Sequence, residues 1–442
     1  MAMTSATSKY IACKDSAIDW LGYIPDDWQL VRLKATVRGC VNGVWGSDPK
    51  GAGDTIVLRV ADFDRNGLVI SDENLTRRSI PKKDIQSRSL KKGDLLIEKS
   101  GGGDKTLVGC VVVFDKEYEA VTSNFVAKMT PDDGYDSNFL KYAFHCLYSN
   151  NINYVSIKQT TGIQNLDASS YLNEKFPFPA KNVQQKISSY LDGFCLKIDD
   201  AIAIKEKQIA LLKERKQIII QKAVTQGLNP DAPMKDSGVD WIGQIPEHWG
   251  VKRLKYVLEE RNERSKTGDE PLFMVSQTHG LVVRADYHEK AEVAASSVDN
   301  KIVHQNDLVF NKLKAHLGVF FKSSIAFKGL VSPDYAVYKP KAHIVDLKIL
   351  EVLFRHPAYI GQFVIRATGI VEGLIRLYTS ELFDISVPIA PESEQLEILK
   401  FIESQSKIFE NAIAIQQDQI EKLKEYKTTL INSAVTGKIK VA

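Results

Sequence analysis

The stretch WLGYIPDDWQLVRLK at residues 20–34 returns as WIGQIPEHWGVKRLK at 241–255. A chain that repeats itself at this distance has to form two similar units, which limits its fold more than any other feature does. The match begins upstream, with Lys14-Asp15-Ser16 against Lys235-Asp236-Ser237. KKGDLLIEKS (91–100) then matches HQNDLVFNKL (304–313), pairing Asp94 with Asp307 and Lys99 with Lys312. VTSNFVAK (121–128) matches VSPDYAVY (331–338), and TTGIQNLDASSYL (160–172) matches VEGLIRLYTSELF (371–383) through Gly162/Gly373 and Leu166/Leu377. The clearest match comes last, DDAIAIKEKQIALLKE (199–214) against ENAIAIQQDQIEKLKE (410–425), followed by QKAVT (221–225) against NSAVT (432–436). The offset falls from 221 (residue 20 to 241) to 211 (201 to 412), so small insertions separate the matched blocks. Their common order predicts a tandem of globular unit, long helix, globular unit, long helix.

The globular parts read as β-rich. TIVLRVADF (55–63), DLLIE (94–98), GCVVVFD (109–115) and EAVTSNFVAKM (119–129) are β-branched runs separated by turn residues. PLFMVSQ (271–277), GLVVRADY (280–287), NDLVFNK (306–312) and LGVFFKS (317–323) do the same in the second half. One shorter helix is expected in each, at 138–149 and 346–359, before Pro-containing strand material at 175–180 and 385–391.

Residues 181–226 and 392–436 contain no Pro, and their apolar residues recur every three or four positions. The first stripe runs Ile187, Leu191, Phe194, Ile198, Ile202, Ile209, Leu212, Ile219, Ala223. The second runs Ile398, Ile402, Phe409, Ile413, Ile420, Leu423, Leu430, Ala434. These heptad-like patterns predict helices of roughly 65–70 Å. Each is too long to bury its stripe on one small domain, so each is the natural partner of the other. A whole globular unit lies between them, which favours an antiparallel pair. Lys205, Gln416, Lys216 and Lys427 interrupt the stripes, as solvated flanks or as register-setting positions. The chain start (ACKDSAIDW) and its end (AVTGKIKVA) look like two edges of the linker AVTQGL…KDSGVDW, which predicts that they lie close together.

Composition narrows the function. Of 442 residues, 44% are hydrophobic and 26% charged, with a net charge of only +3, so non-specific coating of nucleic acid is not expected. Cys13, Cys40, Cys110, Cys146 and Cys195 form no CxxC pair and read as reduced thiols. No apolar leader and no membrane-length run is seen, so a cytoplasmic protein is expected. GGGDKT (101–106) places Asp104 where a phosphate loop needs Gly, leaving a Gly-rich hairpin as its reading. There is no dinucleotide-binding GxGxxG, no HExxH and no base-gripping Asn-Pro-Pro-aromatic motif. So long a duplicated chain without catalytic motifs points to recognition or scaffolding. The tryptophans Trp20, Trp28, Trp241 and Trp249 read first as anchors of each unit's opening segment, and second as base contacts.

IPEHWGVKRLK, the GDLLIEKSGG hairpin, TTGIQNLDASSYLNEKFPFPA and the long helix ending in AVTQGL resemble the specificity subunit of type I restriction–modification systems, over essentially the whole chain. The resemblance implies an α+β fold: two β-rich target-recognition domains separated by a long two-helix antiparallel coiled coil, with a pseudo-twofold internal repeat. The implied divisions are recognition domains at 1–180 and 228–391 and helical regions at 181–227 and 392–442. It also implies that each domain reads one half of a bipartite double-stranded DNA target while the helices set the spacing. Two modification (methyltransferase) subunits and the restriction (translocase and nuclease) subunits are the implied partners. S-adenosylmethionine, ATP and Mg would then sit on those partners, with no cofactor and no catalysis in this chain.

Position and chemistry then single out DNA-contact candidates. Lys99, Ser100 and Lys105 lie on the first Gly-rich hairpin; Lys158, Gln159, Thr160, Thr161, Gln164 and Asn165 lie on a second loop. Their counterparts in the second half are Lys312, Lys314, His316, Arg366, Thr368 and Arg376. Amides read adenine, and Lys or Arg read guanine or hold phosphate. The second hairpin, NDLVFNKLKAHLG, lacks the triple glycine, so its contacts are expected to differ. A self-contained duplicated nuclease and a coiled-coil scaffold without DNA binding are the alternatives.

Overall fold

The doubled segment is built on turn chemistry. Asp15 Oδ1 accepts from the Ala17 amide at 2.9 Å and Ser16 Oγ from Ile18 at 3.2 Å. Asp236 Oδ1 accepts from Gly238 at 2.8 Å and Ser237 Oγ from Val239 at 3.2 Å. Short Asp and Ser side chains are suited to such turns. The residue they clamp has positive φ in both, Ala17 at 56° and Gly238 at 72°. The turns close hairpins of matching register, Cys13 opposite Pro25 and Met234 opposite Pro246.

This is a computed structural model; it describes residues 10–51, 53–102, 106–160, 162–277, 279–287, 297–368 and 376–441. The chain divides into two units, Met1–Glu206 with Gln417–Ala442, and Lys207–Gln416.

In the first unit, a six-stranded sheet has the order Val41–Asn42, Val126–Met129, Leu95–Glu98, Val111–Val113, Val69–Ile70, Phe63–Asp64. A three-stranded sheet of Ala120–Thr122, Thr55–Leu58 and Thr76–Arg78 accompanies it. The run EAVTSNFVAKM therefore supplies two strands to two sheets, with a turn at 123–125. Helix Ser137–Ser149 is capped by Asp136, whose side chain accepts from Phe139 N, and it buries Phe139, Leu140, Ala143, Phe144 and Leu147. In the second unit, a four-stranded sheet has the order Leu258–Glu260, Tyr335–Pro340, Leu308–Asn311, Phe320–Lys322. The helix expected over 346–359 is two helices, Lys348–Leu353 and Pro357–Arg366. The break follows from His356 as N-cap with Pro357 in the first turn, where a missing N–H costs nothing.

In each unit the strand that follows the opening hairpin pairs with the last strand before the long helix. Gln29–Arg32 pairs with Lys175–Phe178, and Gly250–Arg253 with Ser386–Ile389, both antiparallel. Trp28 and Trp249 are buried in the respective cores, at 0% and 2% exposure. Trp20 stacks on Phe176 at 6.4 Å and Trp241 meets Tyr359 edge-on at 4.8 Å. All four tryptophans are anchors.

The last strand of each unit runs into a long helix, Lys181–Gln226 or Glu392–Val435. A buried glutamine in the first turn ties each helix down. Gln184 Nε2 donates to Pro179 O at 2.9 Å and its Oε1 accepts from Asp136 N at 3.0 Å. Gln395 Nε2 donates to Ala390 O at 2.8 Å and His343 O at 2.7 Å, and its Oε1 accepts from Val345 N at 3.0 Å. Both side chains are 1% exposed.

Both long helices contribute to both units. In the first unit, Lys427 Nζ donates to both carboxylate oxygens of Asp199 at 2.7 Å, and Lys205 Nζ to Gln419 Oε1. Higher numbers on one helix meet lower numbers on the other, so the segments are antiparallel. In the second unit, Ile220, Ala223 and Val224 share a core with Ile398 and Ile402, and Lys216 bonds Glu410 at 2.9 Å. Lys205, Lys216 and Lys427 thus carry interhelical bonds and are not merely solvated flanks.

The chain's final turns complete the first unit. Leu430, Ile431, Ala434 and Val435 belong to its core. Lys438 Nζ donates to the carbonyls of Leu21 and Tyr23, each at 2.6 Å, so the opening hairpin and the segment after the second long helix lie together as expected. Beside them, a cavity of about 820 Å³ lies among the 64–69 turn, helix Ser137–Ser149 and both long helices. Its charges are largely paired, Lys141 with Asp192 at 3.1 Å and Lys427 with Asp199. Burial, with Lys427 nearby, pushes the His145 imidazolium down to about 4.

Two predictions follow from these buried groups. Gln184→Leu and Gln395→Leu each orphan backbone groups, and each should cost about 1–3 kcal/mol, read as a drop in denaturant midpoint. Burial favours neutral His145 in the folded chain, while the unfolded chain takes up its proton near 6.5. Stability should therefore fall as pH drops through about 6.5 and stop falling, on this account, near 4. His145→Phe should flatten that part of the pH dependence in denaturation titrations.

Candidate nucleic-acid interface

Strand Leu95–Glu98 leaves the six-stranded sheet at Lys99, and the chain enters a second, smaller sheet. Ser100–Gly101 pairs with Ile163–Leu166, which pairs with Ile157–Thr160, all antiparallel. The two loops expected from sequence are thus one three-stranded platform, because the polar run 157–166 folds into a hairpin. Ser100 lies opposite Asn165, and Asn165 opposite Lys158, so these three form one row across the sheet. Ser100 Oγ and Asn165 Oδ1 are 2.6 Å apart. Gly101 and Gly102 have φ of 137° and 66°, and a Cβ on Gly102 would lie 2.7 Å from Thr106 O, so the bend after the strand requires glycine.

Alternation sorts the candidates. Ile163 and Asn165 are exposed, whereas Gln164 and Leu166 are buried. Gln164 Oε1 accepts from Val108 N at 3.1 Å, so this side chain braces the platform and is not a base-reading group. Gln159 is exposed. Lys158 Nζ bonds Asp167 at 3.0 Å, yet its side chain is 76% exposed, and such a surface pair yields readily to a phosphate. The Ser170 amide, and then Lys158, hold the Asp167 carboxyl below its usual range. Lys99 is fixed by its backbone, its N–H donating to Phe125 O and its carbonyl accepting from Leu166 N, both at 2.8 Å, while Nζ reaches Asn42 at 2.8 Å. Lys105 and Thr161 lie outside the described residues, as do the side chains of Thr160 and His316.

In the second unit, Lys312, Thr368 and Arg376 come together. The Leu377 amide donates to Lys312 O at 3.1 Å, the bond that Leu166 makes to Lys99 in the first unit. Thr368 and Arg376 form an antiparallel bridge. Arg376 Nη2 bonds Asp334 at 3.1 Å. Burial, together with Lys301, pushes the Lys312 ammonium down, with Glu260 at 3.9 Å opposing. Lys314 is exposed in the bend that follows. Arg366 donates to Gln362 on its own helix and is not drawn into this group.

Sequence reasoning missed the apolar residues around the first platform. Trp45, Phe125 and Ile163 are 36%, 54% and 50% exposed and border a groove beside Ser100. The signal was the flanking glycines of GVWGS (43–47), which fix an aromatic at the surface without burying it. Among the described residues no group of His, Cys, Asp and Glu is arranged to hold a metal ion, and no helix is long and apolar enough to cross a membrane.

Comparison with known proteins adds an independent line. The profile described as "Type I restriction modification DNA specificity domain" matches residues 46–214. The protein named as the type I restriction enzyme MjaX specificity subunit of Methanocaldococcus jannaschii is 23% identical over 430 residues, covering 95% of this chain and 96% of that one. The MjaVIII specificity subunit of the same organism is 25% identical over 293 residues, 64% of this chain and 66% of its own length. In fold, the chain is similar to the HsdS subunit from Thermoanaerobacter tengcongensis, with a TM-score of 0.53, 13% identity, and coverage of 94% and 98% of the two chains. It is also similar to a chain solved in work on complex assembly and conformational transition of the type I R-M system, with a TM-score of 0.66, 13% identity, and coverage of 93% and 98%.

Proposed function

We infer that this chain, which belongs to the type I restriction–modification specificity subunits, selects the DNA sequence on which its complex acts and performs no catalysis itself. The observation that carries this is the reach of the likeness: a named specificity subunit matches over 95% of the chain and not over one module. The relatives named above are specificity subunits, and none of them favours a self-contained nuclease or a DNA-free scaffold.

In this reading residues 1–180 and 228–391 are two target-recognition domains, and 181–227 with 392–442 are the helical regions joining them. The equal hairpin registers, the shared pairing of the strand after each hairpin with the last strand, and the twin glutamines support a pseudo-twofold repeat. The interhelical bonds within each unit support an antiparallel coiled coil that holds the two DNA-reading faces at a set spacing. Each domain reads one half of a bipartite double-stranded target, the first through Ser100, Lys158, Gln159 and Asn165, the second through Lys312, Lys314, Thr368 and Arg376. Fusing two readers in one chain lets them diverge, so the halves need not be related by symmetry. Two modification subunits dock about the pseudo-twofold axis, and restriction subunits complete the assembly. S-adenosylmethionine, ATP and Mg act on those partners, and the complex works in the cytoplasm.

The direct test is a map of methylated adenines in cells expressing the methyltransferase with and without this chain. A two-part motif should appear only with it, and methylation that ignores the chain would overturn the reading. On that target, Lys158→Ala should weaken binding across sequences and reduce the slope of log affinity against log salt by about 1. Asn165→Ala should relax base choice at one position of one half-site, at a cost of about 1–3 kcal/mol in binding titrations.

A further inference from the structure

We propose that the groove beside strand Ser100–Gly101 is a nucleobase pocket, which accepts one base of the first unit's half-site after that base has left the helical stack. The inference rests on the DNA-recognition reading above. The groove holds about 480 Å³, a size suited to a small planar ligand. Trp45, Phe125 and Ile163 are large, apolar and exposed around one concavity, which marks a binding site rather than a scatter of surface residues.

The aromatic wall is held ready. A Cβ on Gly43 would lie 2.1 Å from Thr122 O, and one on Gly46 would lie 2.5 Å from Ser79 O, so only glycine allows the segment carrying Trp45 to lie where it does. The Arg78 guanidinium covers the Trp45 ring at 4.8 Å and is itself tied to Asp48 at 2.8 Å. A fixed ring loses little freedom when a base stacks on it.

The polar lining points to a guest. The Ser123 hydroxyl lines the groove, is 1% exposed and has no hydrogen-bond partner among the described residues. Leaving a buried hydroxyl unpaired is costly unless something arrives to bond it. A base edge inside an intact duplex stays at the surface, where Phe125 and Ile163 stand exposed, so a base that enters the concavity comes closest to Ser123, whose hydroxyl has to turn outward to meet it. The backbone of Gly101 and Gly102 forms part of the lining, with no side chain to obstruct a flat ring. Lys158 lies in the row beside Ser100, placed to hold a phosphate next to a turned-out nucleotide, and Asn165 between them keeps its reading of a neighbouring base. In the second unit the residue matched to Asn124 is Asp334, which Arg376 occupies. The proposal therefore concerns the first half-site alone.

The test uses the assembled methyltransferase carrying this chain, bound to duplex DNA containing the mapped target. The strand opposite each half-site is probed with reagents that modify only unpaired bases. The methyltransferase's own adenine accounts for one opened pair. The expected result is a second opened pair in the first half-site, its orphaned base several-fold more reactive in the wild type and unreactive with Trp45→Ala or Phe125→Ala. Both side chains stand at the surface, and unchanged protection of the second half-site checks that each variant still binds. Sequence-selective binding with no second opened pair, or with one indifferent to both variants, would overturn the pocket and leave the recognition reading intact. Loss of all sequence selectivity in the wild-type complex would instead remove the reading on which the pocket rests.

Discussion

A buried amide at the start of each long helix is the constraint on which the rest depends. Gln184 and Gln395 each bridge the turn that ends a globular domain to a loop of that same domain, and each is nearly sealed from water. An amide offers donors and an acceptor at fixed angles, so it sets where the helix begins and the direction in which it leaves. An apolar side chain of equal size would fill the space without setting an angle.

Above that frame the two halves share particular backbone bonds and differ in sheet size and in chemistry. Asp94 and Asp307 are both buried and both cap a turn, accepting from Lys91 N and His304 N at 2.8 Å. Yet Asp94 also takes a bond from Thr130, while Asp307 takes a forked pair from Arg261. The platform of the first unit is lined with glycine, amide and aromatic groups, and the matching place in the second is held by the Arg376–Asp334 pair. A frame fixed by backbone bonds tolerates such exchange, because the exchanged side chains carry none of its folding.

Much of this was legible in the sequence. The long helices announce themselves by period and by the absence of Pro, and the doubled opening segment by its Asp-Ser turn and its buried Trp. What escaped were features that depend on pairing between distant segments. Nothing local at residues 100–101 says that two residues will form a strand, because their partner lies more than sixty residues away. Gln164 looked like a base reader and is buried, since its role was decided by which face of the hairpin turned inward. Trp45 and Phe125 were overlooked for the opposite reason: aromatic residues in β-rich runs are expected inside, and these two are not.

The last segment of the chain carries a consequence for timing. Residues 417–442 are made after the whole of the second unit, yet they hold core side chains of the earlier unit, and Lys438 fastens them to Leu21 and Tyr23. The second unit is continuous in sequence and can close as soon as it has left the ribosome. At about 5–20 residues per second, the first unit then waits roughly 10–40 seconds, nearly finished, for its missing helix. Throughout that wait, the core that holds Ile187, Leu191 and Ile198 lacks Leu430 and Ile431. A nascent chain of this design presents a long unfilled apolar seam to the cell, and the order of synthesis makes the earlier half the one that matures last.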